Sequence, residues 1–297
     1  MSCVVASAVA NPHLGTVSIR NHLNIGNLWR RRPVVSVLRF EGVIMPRSRH
    51  GGLSLASHGA AIDKAFRGSG LVAVAIVVNS PGGSPVQSAL LFRRIRQLAE
   101  KKSVPVIAFA EDVAASGGYW LALAGDEIFS EESSLLGSIG VISASFGFYQ
   151  LMGRLGIERR LHTAGERKSL LDPFLPEEPS DVARLTTLQQ DIHQSFKEHV
   201  RRRRAGKIDA ADETLFTGDV LTGRMALDRG LIDGIGELRA VMRARYGEKV
   251  KLRAISAERR RWPFTSRLPF VGRDPVALIA DLADWLEARL LWARFGL

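Results

Sequence analysis

The 297-residue sequence predicts an α/β protein with parallel strands joined by crossover helices, and three observations carry that expectation. Two continuous apolar runs, Val72–Val78 and Val104–Ala110, have the composition of strands covered on both faces. Between them, Val86–Lys101 sets Ala89, Leu90, Ile95 and Leu98 among arginines, the pattern of an amphipathic helix. Strand, turn, helix, strand in that order requires a crossover, and hence parallel strands.

The remaining elements follow from the same signals. Val34–Arg39 is rich in β-branched residues and continues through Phe40–Met45, which marks a first strand. His58–Phe66 reads as a first helix. The run 72–78 stops at Asn79-Ser80-Pro81-Gly82-Gly83, a cluster of strong turn formers. After Val104–Ala110, a loop is expected over Glu111–Ser116 and a short helix over Gly117–Ala124. Glu127–Ser130 and the glycine-punctuated Leu135–Ile142 are further strand candidates. Asp181–Arg204 is a long helix with Leu185, Leu188, Ile192, Phe196 and Val200 at helical spacing. Leu215–Gly236 carries several turn signals and closes the domain. Residues 1–30 form an N-terminal arm, 31–250 the main domain and 251–297 a tail, whose Val276–Phe295 stretch carries one broad apolar stripe.

Composition bounds the function. The chain is 46% apolar and 24% charged, a normal globular balance, with only 7% aromatics. Its formal charge of +11 gathers in arginine runs at 30–32, 201–204 and 259–261, read as solvated loops and helix ends. No zinc spacing or interleaved aromatics accompany them, so no nucleic acid is expected as a partner. Cys3 stands alone and permits no intrachain disulfide. No secretory leader and no apolar run long enough to span a bilayer is evident, so the chain reads as cytoplasmic. The stripe at 276–295 leaves open a peripheral contact with the inner membrane, or docking on another subunit.

Two glycine-rich turns follow buried strands, at the strand ends where sites form in parallel sheets. In Ala115-Ser116-Gly117-Gly118 a serine stands between small residues at a strand-to-helix turn, and small neighbours admit a substrate backbone. The Asn79–Gly83 turn can aim a second backbone amide at a developing oxyanion, where each donor is worth about 3–4 kcal/mol. Taken alone, both are also ordinary turns. A serine needs a base. Of seven histidines, His162 is the one reasonable triad candidate, and His193 and His199 are expected on the surface of the long helix. Lys168, in Gly165-Glu166-Arg167-Lys168-Ser169 before apolar Leu170-Leu171, is the other candidate, and a solvated lysine is its plain alternative.

Read together and in order, Asn-Ser-Pro-Gly-Gly, Ala-Ser-Gly-Gly-Tyr, Gly-Ser-Ile-Gly-Val and Gly-Glu-Arg-Lys resemble the signal peptide peptidase SppA/SohB family over about Val34 to Gly236. The resemblance implies a ClpP/crotonase-like fold of repeated β-β-α units, with a mostly parallel sheet and flanking helices. It implies a serine endopeptidase with Ser116 as nucleophile, Lys168 as general base, Gly83 and Gly117 as oxyanion-hole amides and Ser138 orienting the lysine. It further implies peptide substrates such as signal-peptide remnants, no cofactor and no metal, and ring-like homo-oligomers whose subunits share sites. Many relatives carry an N-terminal membrane anchor, which is not evident here, and only one copy of the domain is present. A crotonase-like acyl-CoA enzyme and a non-catalytic scaffold at a membrane surface are the alternatives.

Overall fold

The structure is a computed structural model describing residues 32–46, 52–165, 167–256, 286 and 289–296. The expectations for the arm 1–30 and for most of the stripe 276–295 lie outside the described residues.

Strand β1 (Val34–Glu41) leads through helix α1 (Leu55–Ala65) to β2 (Leu71–Ser80), α2 (Pro85–Lys102), β3 (Val106–Ala115) and α3 (Gly117–Ala122). Each helix start has a local cause. The Ser54 hydroxyl caps α1 by accepting from the Ser57 amide, and Ser84 caps α2 ahead of a proline in its first turn. Short strands β4 (Glu127–Ser130) and β5 (Leu135–Gly137) follow, then α4 (Tyr149–Arg154) and α5 (Pro179–Arg203). A 3₁₀ turn over Glu213–Phe216, β6 (Val220–Thr222), α6 (Gly223–Asp228), β7 (Gly234–Ile235), α7 (Leu238–Tyr246) and β8 (Lys251–Ile255) follow.

The sheet runs β6-β5-β3-β2-β1-β8, with β4 and β7 on a side branch. Every pairing is parallel except β5 with β6. This is the α/β architecture the buried runs predict. The alternation of side chains feeds two cores. Leu38, Phe40, Val74, Ile76, Val78 and Ala108 pack under α1, α2 and α3, while Val35, Val37, Ala75, Val77, Ile107 and Phe109 meet Met242 of α7.

Three departures from the sequence reading have physical reasons. First, β3 does not end at Ala110. Its first half pairs with β4 (Ile107↔Glu127 to Ala110↔Ser130) and its last three residues pair with β5 (Val113↔Leu135 to Ala115↔Gly137), so the presumed loop Glu111–Ala115 is strand. Exposed Asp112 breaks the apolar pattern without breaking the ladder. Second, Lys251–Ile255, assigned to the tail, lies in the sheet beside β1, and its charged residues suit an edge strand. Third, the arginines at 203 and 204 are not solvated. Arg203 donates to the Leu123 and Gly125 carbonyls at 2.8 Å. Arg204 is 2% exposed and joins the Gly230 carbonyl and Asp233.

Asp233 is the hub of that last cluster. It accepts from Arg204 (2.7 Å), Lys207 (2.5 Å) and the Ile128 amide (2.8 Å), tying α5 to β4 and the segment before β7. Burial alone would raise its carboxyl, but the bonds from Arg204 and Lys207 outweigh it and hold the group below the ordinary carboxylate range. Its share of stability is therefore complete above about pH 4 and is lost as pH falls through the lowered folded value. Arg204→Met removes the guanidinium from Asp233 and the Gly230 carbonyl while Lys207 and the Ile128 amide stay on the carboxylate, so it should lower unfolding free energy by about 1.5–3 kcal/mol in urea titrations at pH 7. A loss under about 1 kcal/mol would show the cluster to be passive.

Candidate active site

The fork in β3 determines where Ser116 sits. Ala115 pairs with Gly137, and the Ser116 amide donates to the Gly137 carbonyl at 2.8 Å, so Ser116 and Ser138 leave neighbouring parallel strands side by side. Ser116 then turns at φ 51°, ψ −121°, a backbone rarely adopted outside glycine. A sharp strand-to-helix turn of this kind lifts the hydroxyl out of the sheet. The side chain does not cap α3, and no hydrogen bond engages its Oγ among the described residues. Ser138 also has positive φ (48°), is 9% exposed, and is fixed by its amide donating to the Asp219 carbonyl at 2.7 Å.

The second glycine turn packs directly on the first. A Cβ on Gly82 would fall 2.8 Å from each of the Ala115 oxygen, the Gly117 nitrogen and the Ser116 Cβ, so only glycine lets the turns meet. Gly82 has φ 103° and Gly83 φ 133°, conformations that favour glycine on their own account. The turn is anchored to the end of β1 because the Ile44 amide donates to Gly82 O and the Ser84 amide to Ile44 O (2.8 and 2.7 Å). Among the described residues, that pairing leaves the Gly83 N–H without an acceptor. Gly117 opens α3, where the first amides have no intrahelical partner. The Gly83 nitrogen lies 3.3 Å from where a Gly117 Cβ would stand, so two uncommitted amides border the Ser116 turn.

The structure thus brings Ser116, Gly117, Gly83 and Ser138 to one end of the sheet. Lys168 is not joined to them. It lies exposed in a turn, its amide donates to Gly165 O at 3.2 Å, and no hydrogen bond connects it with Ser116. The expectation of an apolar setting for Lys168 is thus not met within one chain. Its segment is an arm: no described residue from Val141 to Ser180 is buried. The arm is organised all the same. Phe148 stacks on Phe174 at 5.7 Å, Arg159 covers the Phe174 ring, and the Phe148 amide donates to Pro173 O.

His162, the triad candidate, is exposed on the same arm. His199, expected on the surface, is 2% exposed and lies against Trp120 and Phe92. Burial and the guanidinium groups of Arg202, Arg203 and Arg93 push it down to about 3, which removes it as a cation near neutrality. Two residues that shape the site escaped the sequence reading. Gly82 was legible only as half of a Gly-Gly pair, and buried Ser88 of α2, whose Oγ lies 2.5 Å from a Cβ built on Gly117, gave no signal. Among the described residues, no group of three or more His, Cys, Asp or Glu is placed to hold a metal ion.

Residues 98–252, which span the fork, Ser116 and the arm, match the family model "Peptidase family S49". The chain belongs to peptidase family S49. Its relatives include the Na(+)/H(+) antiporter NhaA of Brucella abortus, 48% identical over 89% of this chain and 37% of that protein. Serine protease SPPA, chloroplastic, of Arabidopsis thaliana is 37% identical over 61% of this chain and 26% of that protein. Protease 4 of Haemophilus influenzae is 28% identical over 72% of this chain and 34% of that protein. The chain therefore spans well under half the length of these three relatives. Transport is named for the first of them. In this S49 chain, among the described residues, no helix is long and apolar enough to cross a membrane.

Glycine geometry gives a direct test of the S49 site. At Gly83 a Cβ would collide with the Ile44 backbone carbonyl, and φ 133° adds strain, whereas Gly59 in α1 meets only ordinary contact with Leu55. Gly59→Ala should raise stability by about 0.5–1 kcal/mol. Gly83→Ala should lower it by about 1–3 kcal/mol. Equal denaturation midpoints for the two variants would contradict the close approach described here.

Proposed function

We propose that this chain is a serine endopeptidase that hydrolyses peptide bonds in signal-peptide remnants and other unfolded or membrane-derived peptides through a Ser116–Lys168 dyad. One observation carries the reading: an unengaged Ser116 hydroxyl on a strained strand-to-helix turn, bordered by two uncommitted amides. Uncharged Lys168 takes the hydroxyl proton as the Ser116 oxygen attacks the scissile carbonyl. The Gly83 and Gly117 amides donate to the oxyanion. Lys168 returns the proton to the leaving amine, then activates a water that releases the acyl group from Ser116. Ser138, one strand away, orients the lysine. Membership of a serine peptidase family supports the chemistry. The substrate class is supported by relatives whose names include serine protease SPPA and signal peptide peptidase SppA.

The arm suggests how the lysine arrives. Phe146 is 74% exposed, and Ile142, Leu151, Leu155 and Ile157 are each more than half exposed, an apolar surface left uncovered among the described residues. Seated on a second copy, the arm would bury that surface and place one chain's Lys168 beside its neighbour's Ser116. Repetition of such a head-to-tail contact closes a ring.

Ser116→Ala and Lys168→Ala should each lower turnover of an unfolded peptide by about 10⁴-fold or more. Co-expressed in equal amounts, the two inactive variants should recover roughly a quarter of the wild-type rate, because about one site in four pairs an intact serine with an intact lysine from its neighbour. Full activity of either single variant overturns the dyad. Dead singles with no recovery overturn the shared site and leave the dyad within one chain.

A further inference from the structure

We propose that Asn79 is a positioning residue for the reaction, setting the nucleophile's strand at a fixed offset from the glycine turn that supplies an oxyanion donor. The role rests on the reading of Ser116 as nucleophile. Strands β2 and β3 run in register up to Val78↔Ala110, and pairing resumes at Ser80↔Ala114. One residue of β2, Asn79, therefore faces three of β3, Glu111, Asp112 and Val113. A bulge of this kind breaks the ladder and leaves backbone groups to be satisfied in another way.

The Asn79 side chain supplies that satisfaction on both sides. Its Oδ1 accepts from the Val113 amide at 3.2 Å, and its Nδ2 donates to Asp112 Oδ2 at 2.7 Å. Its own carbonyl accepts from Gly42 N at 3.0 Å. Asn79 stands three residues before Gly82, and Val113 stands three residues before Ser116. The two Asn79 side-chain bonds thus bridge the bulge near the ends of two strands whose next turns must meet within van der Waals contact. From the last bulged residue onward, Val113, Ala114 and Ala115 pair with β5, so the offset chosen here also decides that Ser116 emerges beside Ser138. A slip at this point shifts the serine oxygen relative to the Gly83 amide without uncovering either core, and an error of about 1 Å in such a geometry costs on the order of 10²-fold in rate.

The polarity of the pair makes the test specific. Asn79→Asp keeps the acceptor for Val113 but sets a carboxylate against Asp112. Adding Asp112→Asn restores both bonds: the Val113 amide still donates to residue 79, and the bond between residues 79 and 112 re-forms with donor and acceptor exchanged. With a fluorophosphonate probe and a peptide substrate, Asn79→Asp and Asn79→Ala should label Ser116 about 10–100-fold more slowly than wild type, with kcat falling and KM within about twofold. One probe per chain should still be taken up at completion, which separates misplacement from a loss of folded protein. The double variant Asn79→Asp with Asp112→Asn should return to within about threefold of wild type. Labelling of Asn79→Ala at the wild-type rate overturns the proposal, as does a double variant no better than Asn79→Asp. Wild-type protein that takes no probe at Ser116 overturns the nucleophile and this role together, a result distinct from either of the others.

Discussion

Strand β3 has two neighbours on one edge, and the rest of the site depends on how it serves them. Ile107–Ala110 bond to β4 and Val113–Ala115 bond to β5, so the strand must change partner over Glu111 and Asp112. A ladder passes from one partner to another only where a few residues go unpaired, and the mismatch with β2 falls at the same place. Beyond it, the Ser116 amide bonds to Gly137 O, and the chain turns at once into α3.

That constraint explains the glycines. Two turns that leave adjacent parallel strands are separated by about one strand spacing, close enough that a single Cβ fills the gap. Gly82 lies against Ser116 and Gly117, and Gly83 against Ile44, while Gly118 would press a Cβ onto Ser80 at 2.5 Å from its carbonyl oxygen. Tight approach leaves amides without neighbours to accept from them, which is the arrangement an anionic intermediate needs. Stability for the strained turn comes from elsewhere: from the two cores on either face of the sheet and from the Arg204–Asp233 cluster that fastens α5 to the sheet's side branch.

Much of this was legible in the sequence because the central strands are buried on both faces. Val72–Val78 and Val104–Ala110 read as strands since nothing polar interrupts them, and α2 read as a helix from its arginine face. The same logic failed where burial is one-sided. Glu111 and Asp112 looked like loop because the pattern carries no sign that one strand can change partners. β8 is an edge strand with Lys251 and Arg253, and α7 offers only Leu238, Val241, Met242 and Tyr246 toward the sheet. His199 seemed a surface residue because it stands among arginines, yet two aromatic rings cover it. Of the residues read as chemistry, Ser116, Gly117, Gly83 and Ser138 are contiguous in space, and Lys168 stands on an arm whose apolar surface is exposed among the described residues.

The fork in β3, and not simply a serine among glycines, sets the Ser116 hydroxyl apart as the proposed nucleophile. Mapping a fluorophosphonate adduct on the wild-type protein by mass spectrometry tests it most directly. A single adduct on Ser116, with Ser80, Ser88 and Ser138 unmodified, is the predicted result. An adduct on any of those three, or protein that hydrolyses peptides while Ser116 stays unlabelled, would contradict it.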